Sequence, residues 1–183
     1  MDKNILEKEL KQTDDEIILL EVSSETQVEA SSTALKHLID SGKIGIIVSA
    51  SRPYNSLLDL YKKYKINMKD LIIIDAISHK QGLKTEEIGN VFFVENVKSL
   101  TTMSIMIKES MEKIKKPKFV FIDSVTTMLI YNNPETYMRF LHDILSEMRN
   151  QGTGGILVFV ETETNEKIKI QLKTVCDKVI TLT

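Results

Sequence analysis

Lys118-Phe119-Val120-Phe121-Ile122-Asp123-Ser124 sets an acid directly after four apolar residues. A carboxylate at the end of a buried strand can organise the water shell of a Mg²⁺ ion beside a polyphosphate. Asp123 is therefore the candidate metal ligand. Asp123 and Ser124 are the candidate positions for holding a nucleotide at its phosphate–metal end. The complementary motif, G-x-x-x-x-G-K-[ST], occurs nowhere in the 183 residues. Without phosphate oxygens one carboxylate makes a weak Mg²⁺ site, and a strand-end acid can equally cap the next turn. Asp75 and Glu161 would join Asp123 in an acidic cluster if their strands were neighbours. No residue is expected to be catalytic.

Other groups that could do chemistry lack the spacing for it. His37, His79 and His142 are scattered, with no H-x-x-x-H pair for a metal. Cys176 is the single cysteine, so it forms no internal disulfide and no thiolate cluster. Gln151-Gly152-Thr153-Gly154-Gly155 has a phosphate loop's composition, but it follows a helical pattern and precedes a strand. It reads as a helix C-cap and turn.

The elements that position these residues alternate. Apolar runs read as strands at Glu16–Val22, Lys43–Ser49, Asp70–Asp75, Val91–Val94, Lys118–Asp123 and Gly154–Val160. Helical spacing fits Met1–Gln12 (Ile5, Leu6 and Leu10 inward), Thr26–Asp40, Pro53–Tyr64, Ser99–Lys115 and Pro134–Asn150. Lys167–Leu172 and Lys178–Leu182 read as two last strands forming a hairpin. Strands apolar on both faces, alternating with helices, predict a three-layer α/β fold around a mostly parallel sheet. In such sheets ligands sit at the carboxyl ends of the strands. That rim carries Ser23-Ser24, Ser49–Arg52, Asp75, Asp123-Ser124 and Glu161.

Composition bounds the function classes. A net charge of −2, no Trp, and only Arg52, Arg139 and Arg149 as arginines argue against nucleic acid as a partner. No apolar run reaches membrane-span length, and the charged start MDKNILEKEL lacks a signal core. One domain over residues 1–183, in the cytoplasm, is the expectation.

The order of these segments resembles the RecA-like ATPases with their P-loop NTPase fold, and within them the KaiC-like branch common in archaea. The resemblance rests on Thr33–Pro53, Lys118–Tyr131, Arg139–Val158 and Cys176–Leu182. It implies a RecA-like core whose Walker B strand is Lys118–Asp123. Two departures stand out. The family's phosphate loop falls on Ser24–Ser31, where every glycine is replaced and the lysine position is Ala30. Losing one charge-assisted phosphate contact costs about 1.5–3 kcal/mol, roughly 10- to 100-fold in affinity. Glu25 and Glu29 also bring negative charge there, and only Ser31 keeps a hydroxyl. The family's pair of glutamates after the second strand, one of which activates water, is replaced by Ala50-Ser51.

The resemblance with these departures implies a non-hydrolysing pseudo-ATPase domain that regulates or signals through protein contacts. Its partner would be a second copy or an active KaiC-like relative, and no cofactor is expected. The alternative is a nucleotide or anion sensor, with Ser31, Arg52 and Asp123 as an altered site for ATP and Mg²⁺. A DNA-recombination accessory is a further alternative.

Overall fold

The computed structural model describes residues 3–11, 15–78, 89–161 and 166–182. Met1, Asp2 and Gln12 of the expected first helix, and His79, lie outside them.

Along the chain the elements are α1 (Lys3–Leu10), β1 (Ile17–Val22), α2 (Gln27–Asp40), β2 (Ile44–Ser49), α3 (Tyr54–Tyr64), β3 (Leu71–Asp75), β4 (Val91–Phe93), α4 (Leu100–Lys113), β5 (Lys118–Asp123), α5 (Val125–Tyr131), α6 (Pro134–Asn150), β6 (Gly154–Val160), α7 (Glu166–Val175) and β7 (Lys178–Leu182). The strands form one sheet in the order β4-β3-β2-β5-β6-β1-β7, and every pairing is parallel. Parallel strands need a crossover each, which is why helices separate most of them.

Alternate strand residues feed two cores. Ile17, Leu19, Ile46, Val48, Val120, Ile122, Leu157 and Phe159 face one apolar layer, built on Met103, Ile107, Tyr137, Leu141 and Ile144 of α4 and α6. Ile18, Leu20, Ile47, Phe119, Phe121, Ile156 and Val158 face the other, built on Leu6, Ala34, Leu35, Leu57 and Tyr61 of α1, α2 and α3. Two buried faces explain why the strands read as continuous apolar runs. Gly155 has no room for a side chain, either beside β5 or under α6. A Cβ there would meet the Val120 carbonyl oxygen at 2.5 Å and Met148 Cε at 2.6 Å.

The C-terminal hairpin is not formed. Lys167–Leu172 lies within helix α7, and β7 runs parallel to β1 at the sheet edge. The sequence KIKIQL alternates with period two, as a strand would. Reaching a parallel edge from β6 requires crossing over β1, and a helix supplies that connection. The Glu21 carboxylate holds α7 there: it is buried in β1, 2.9 Å from Lys173 Nζ and 3.9 Å from Lys169 Nζ. Asp177 fixes the start of β7, because its carboxylate accepts the Ile17 amide at 2.8 Å while its own amide donates to the Ile17 carbonyl.

Two smaller differences concern helices. In α1, Leu6 and Leu10 are buried, but Ile5 points outward. Helix α5 had no sequence signal of its own. Its Val-Thr-Thr run favours a strand by propensity, yet the Ser124 side chain caps it by accepting the Thr127 amide.

Candidate functional site

The carboxyl ends of β1, β2 and β5 meet where α2 begins. Helix α2 leaves β1, passes over β6 and β5, and returns the chain to β2. Its first turn is thereby carried to the tip of β5. Gln27, the first helical residue, donates from Nε2 to Asp123 Oδ1 at 2.9 Å.

The turn between β1 and α2 is short and closed on itself. The Ser23 carbonyl accepts the amides of Thr26 and Gln27 at 3.2 and 3.0 Å, and the Ala30 amide donates to Thr26 at 2.9 Å. The Ser23 and Thr26 hydroxyls lie 3.0 Å apart. A phosphate cradle needs consecutive amides turned outward onto the anion. Three amides of this segment are committed within the chain instead. Glu25 and Glu29 are exposed on it, and Glu29 sits in the first helical turn.

Asp123 is half-buried at the end of β5. Burial raises its carboxyl above the ordinary range, against the opposing pull of the Gln27 hydrogen bond and the Arg52 charge. Its backbone carbonyl accepts the Ala50 amide at 2.8 Å, which locks the tip of β2 to that of β5. The following peptide bond, Asp123–Ser124, is cis. Ser124 is fully buried, and its hydroxyl caps α5 2.9 Å from the Thr127 hydroxyl. Ser31 lies one turn beyond Gln27 on the same helix face. It is buried, and its Oγ has no hydrogen-bond partner among the described residues.

Gln27 and Arg52 thus act on Asp123, whereas Ser31 is buried on α2 and Ser124 is buried as the cap of α5. Asp75 and Glu161 do not join Asp123. Strand β2 separates β3 from β5; β6 does neighbour β5, but Glu161 is taken up elsewhere. Asp75 is fully buried and organises a turn, accepting the amides of Tyr54, Ile77 and Ser78 at 2.8, 2.8 and 3.0 Å and the Ser78 hydroxyl. Glu161 pairs with Lys169 at 2.7 Å. Among the described residues no group of three His, Cys, Asp or Glu could hold a metal ion.

A family profile described as "ATPase: KaiC" matches residues 30–183. The chain belongs to the KaiC-like ATPase family. The matched stretch of this KaiC-like chain holds Ser31, Asp123 and Ser124, and starts after the β1–α2 turn. Among solved structures, an uncharacterised protein of Pyrococcus horikoshii, crystallised with an unknown peptide, is similar. It has a TM-score of 0.72 at 15% identity, covering 95% of this chain and 82% of that one. A KaiC-like protein of Pyrococcus horikoshii OT3 has a TM-score of 0.66 at 13% identity, covering 92% and 71%. At these identities the likeness establishes the fold. No curated protein matches significantly. No helix among the described residues is long and apolar enough to cross a membrane.

Two residues beside Asp123 of this KaiC-like domain escaped sequence reasoning. Gln27 stands four positions before Ser31, a spacing that pairs them on a helix, but only the crossover of α2 brings it to β5. Tyr61 was legible as part of the α3 stripe. Burial, reinforced by the Asp123 charge, pushes its phenol well above the ordinary range. The half-buried Cys176 thiol is pushed up to about 12, by burial first and then by Asp177, so it is a poor nucleophile.

Proposed function

We propose that this KaiC-like domain is a pseudo-ATPase with a degenerate Walker A segment, acting through contacts with other proteins in a regulatory or signalling role. The observation that carries the reading is the Gln27–Asp123 hydrogen bond. A side chain of the first α2 turn occupies the carboxylate that would face the metal shell. The amides that would hold a phosphate are spent on the Ser23–Thr26 turn. Glu25 and Glu29 oppose an incoming polyphosphate, and Ala50-Ser51 supplies no base for water. The peptide bound to one of the similar structures supports a fold that meets other chains. A second copy or an active KaiC-like relative is the partner proposed.

Calorimetry with Mg-ATP tests this. The expected outcome is no binding tighter than about millimolar, a free energy near −4 kcal/mol. Micromolar binding would sink the reading.

One observation favours a second reading, an anion or nucleotide sensor. The Ser31 hydroxyl is buried with no hydrogen-bond partner among the described residues, one helical turn from the Gln27 that meets Asp123. Under that reading a nucleotide or sulfate raises the melting temperature, and Asp123→Ala abolishes the rise. A shift that survives Asp123→Ala removes the sensor reading.

A further inference from the structure

At the amino ends of the central strands, opposite the rim that holds Asp123, lies a cleft of about 500 Å³. Among the described residues its walls carry Lys43, Lys115, Lys116 and Lys118 and one carboxylate, Asp15. Strand pairing builds it. Ile44 of β2 stands beside Lys118 of β5, and the Ile44 amide donates to the Pro117 carbonyl at 2.9 Å. Lys43 and Lys118 thus stand at the amino ends of adjacent strands, both half-buried, and both line the cleft. Lys43 stands 3.9 Å from Asp15, and Lys118 Nζ donates to the Ile114 carbonyl at 3.2 Å. Lys115 and Lys116 are exposed and carry no ion pair among the described residues. Four clustered ammoniums in a chain of net charge −2 repel one another, and a bound anion relieves that repulsion.

The lining discriminates among anions. No arginine is present to grip a phosphate with two prongs. The turn amides of Gln151, Gly152 and Thr153 donate to carbonyls of Glu147, Arg149 and Met148 at 3.1, 3.2 and 2.8 Å, so they form no phosphate nest. No aromatic ring lines the cleft for a base to stack on. The exposed ammoniums of Lys115 and Lys116, backed by Lys43 and Lys118, suit carboxylates spread along a peptide.

We propose that this cleft docks an acidic peptide segment of a protein partner. The proposal rests on the reading that the domain works through protein contact. It lies roughly 17 Å from Asp123, five residue steps along β5, and is independent of the nucleotide question.

The test is fluorescence anisotropy of a labelled glutamate-rich decapeptide with the full chain. Wild type should bind the peptide at low salt, and raised salt should weaken it. Lys115→Glu with Lys116→Glu should weaken it about tenfold, near 1.4 kcal/mol. Both residues are exposed loop positions, and an unchanged melting curve would show that the variant is folded. Equal affinity in the double variant overturns the proposal. So does preferential binding of tripolyphosphate or of a thymidine decanucleotide over the peptide. Mg-ATP titrated in parallel separates the two readings. Tight ATP binding sinks the pseudo-ATPase reading and leaves the cleft standing, whereas peptide binding indifferent to the lysines sinks the cleft alone.

Discussion

Asp75 and Asp123 end the two strands that flank β2, and both stand in register with Ser49. Their environments are opposite. Asp75 is sealed in the fold and receives three backbone amides and a hydroxyl. Asp123 receives one side-chain amide, from Gln27, and burial raises its carboxyl. A carboxylate buried among backbone donors is a structural fastener, because buried amides need acceptors; only the Tyr54 amide has a second one, the Ser78 hydroxyl at 3.1 Å. A carboxylate with spare acceptor capacity at a strand tip has the features of a ligand site. Here Gln27 covers it.

The comparison breaks most readily at Asp75. Asp75→Ala leaves the amides of Ile77 and Ser78 without their acceptor and takes one of two from Tyr54. At about 1–3 kcal/mol for a buried orphan donor, the loss should reach about 3 kcal/mol or more. Urea unfolding should show it as a lower midpoint at unchanged slope. A loss below about 1 kcal/mol would mean that Asp75 is no fastener.

Ser124→Ala should cost less, about 1 kcal/mol, because it removes one helix cap. The same unfolding curves check it, and a neutral result would detach Ser124 from α5. Gln27→Ala should cost under about 1 kcal/mol, since its partner stays accessible to water. Its informative readout is ligand response. If Gln27 is what closes the site, the variant gains a thermal shift with Mg²⁺ that wild type lacks. No gain in the variant would leave the closed turn alone responsible.

Asp123→Asn should move stability least at neutral pH, and upward if at all. The sign follows from linkage. A raised carboxyl means that the folded state keeps its proton to higher pH than the unfolded chain does. Asp123 therefore contributes stability fully below the ordinary carboxylate range, and that contribution is lost as pH rises through its folded value. Melting of wild type against Asp123→Asn across pH ~3 to ~8 should show a pH-dependent difference that grows in the variant's favour as pH rises. A variant that is less stable at neutral pH would place Asp123 with Asp75 as a fastener.

The legibility of the fold followed the strength of periodicity. Pro134–Asn150 and Gly154–Val160 coincide with their predicted bounds because a long amphipathic stripe and an apolar run bounded by glycine admit one reading. Lys167–Leu172 misled because Ile168, Ile170 and Leu172 alternate, while the choice of helix lay with β7 pairing beside β1 and with Glu21 meeting Lys169 and Lys173. Asp123 was legible as a candidate from its strand-end position. Its partner Gln27 was not, since ninety-six residues separate them and no local pattern records which crossover passes over β5.

By itself the sequence determined the α/β alternation, the strand tips where polar residues collect, and the absence of a glycine-rich phosphate motif, because these are properties of local pattern. Tertiary structure alone decided which tips meet, that one strand-end acid is fastened to backbone amides while another is covered by a glutamine, and that Lys43 joins Lys115, Lys116 and Lys118 at the amino ends of the strands. Those outcomes depend on strand order and crossover path, which are set by how two buried faces of one sheet are covered at once.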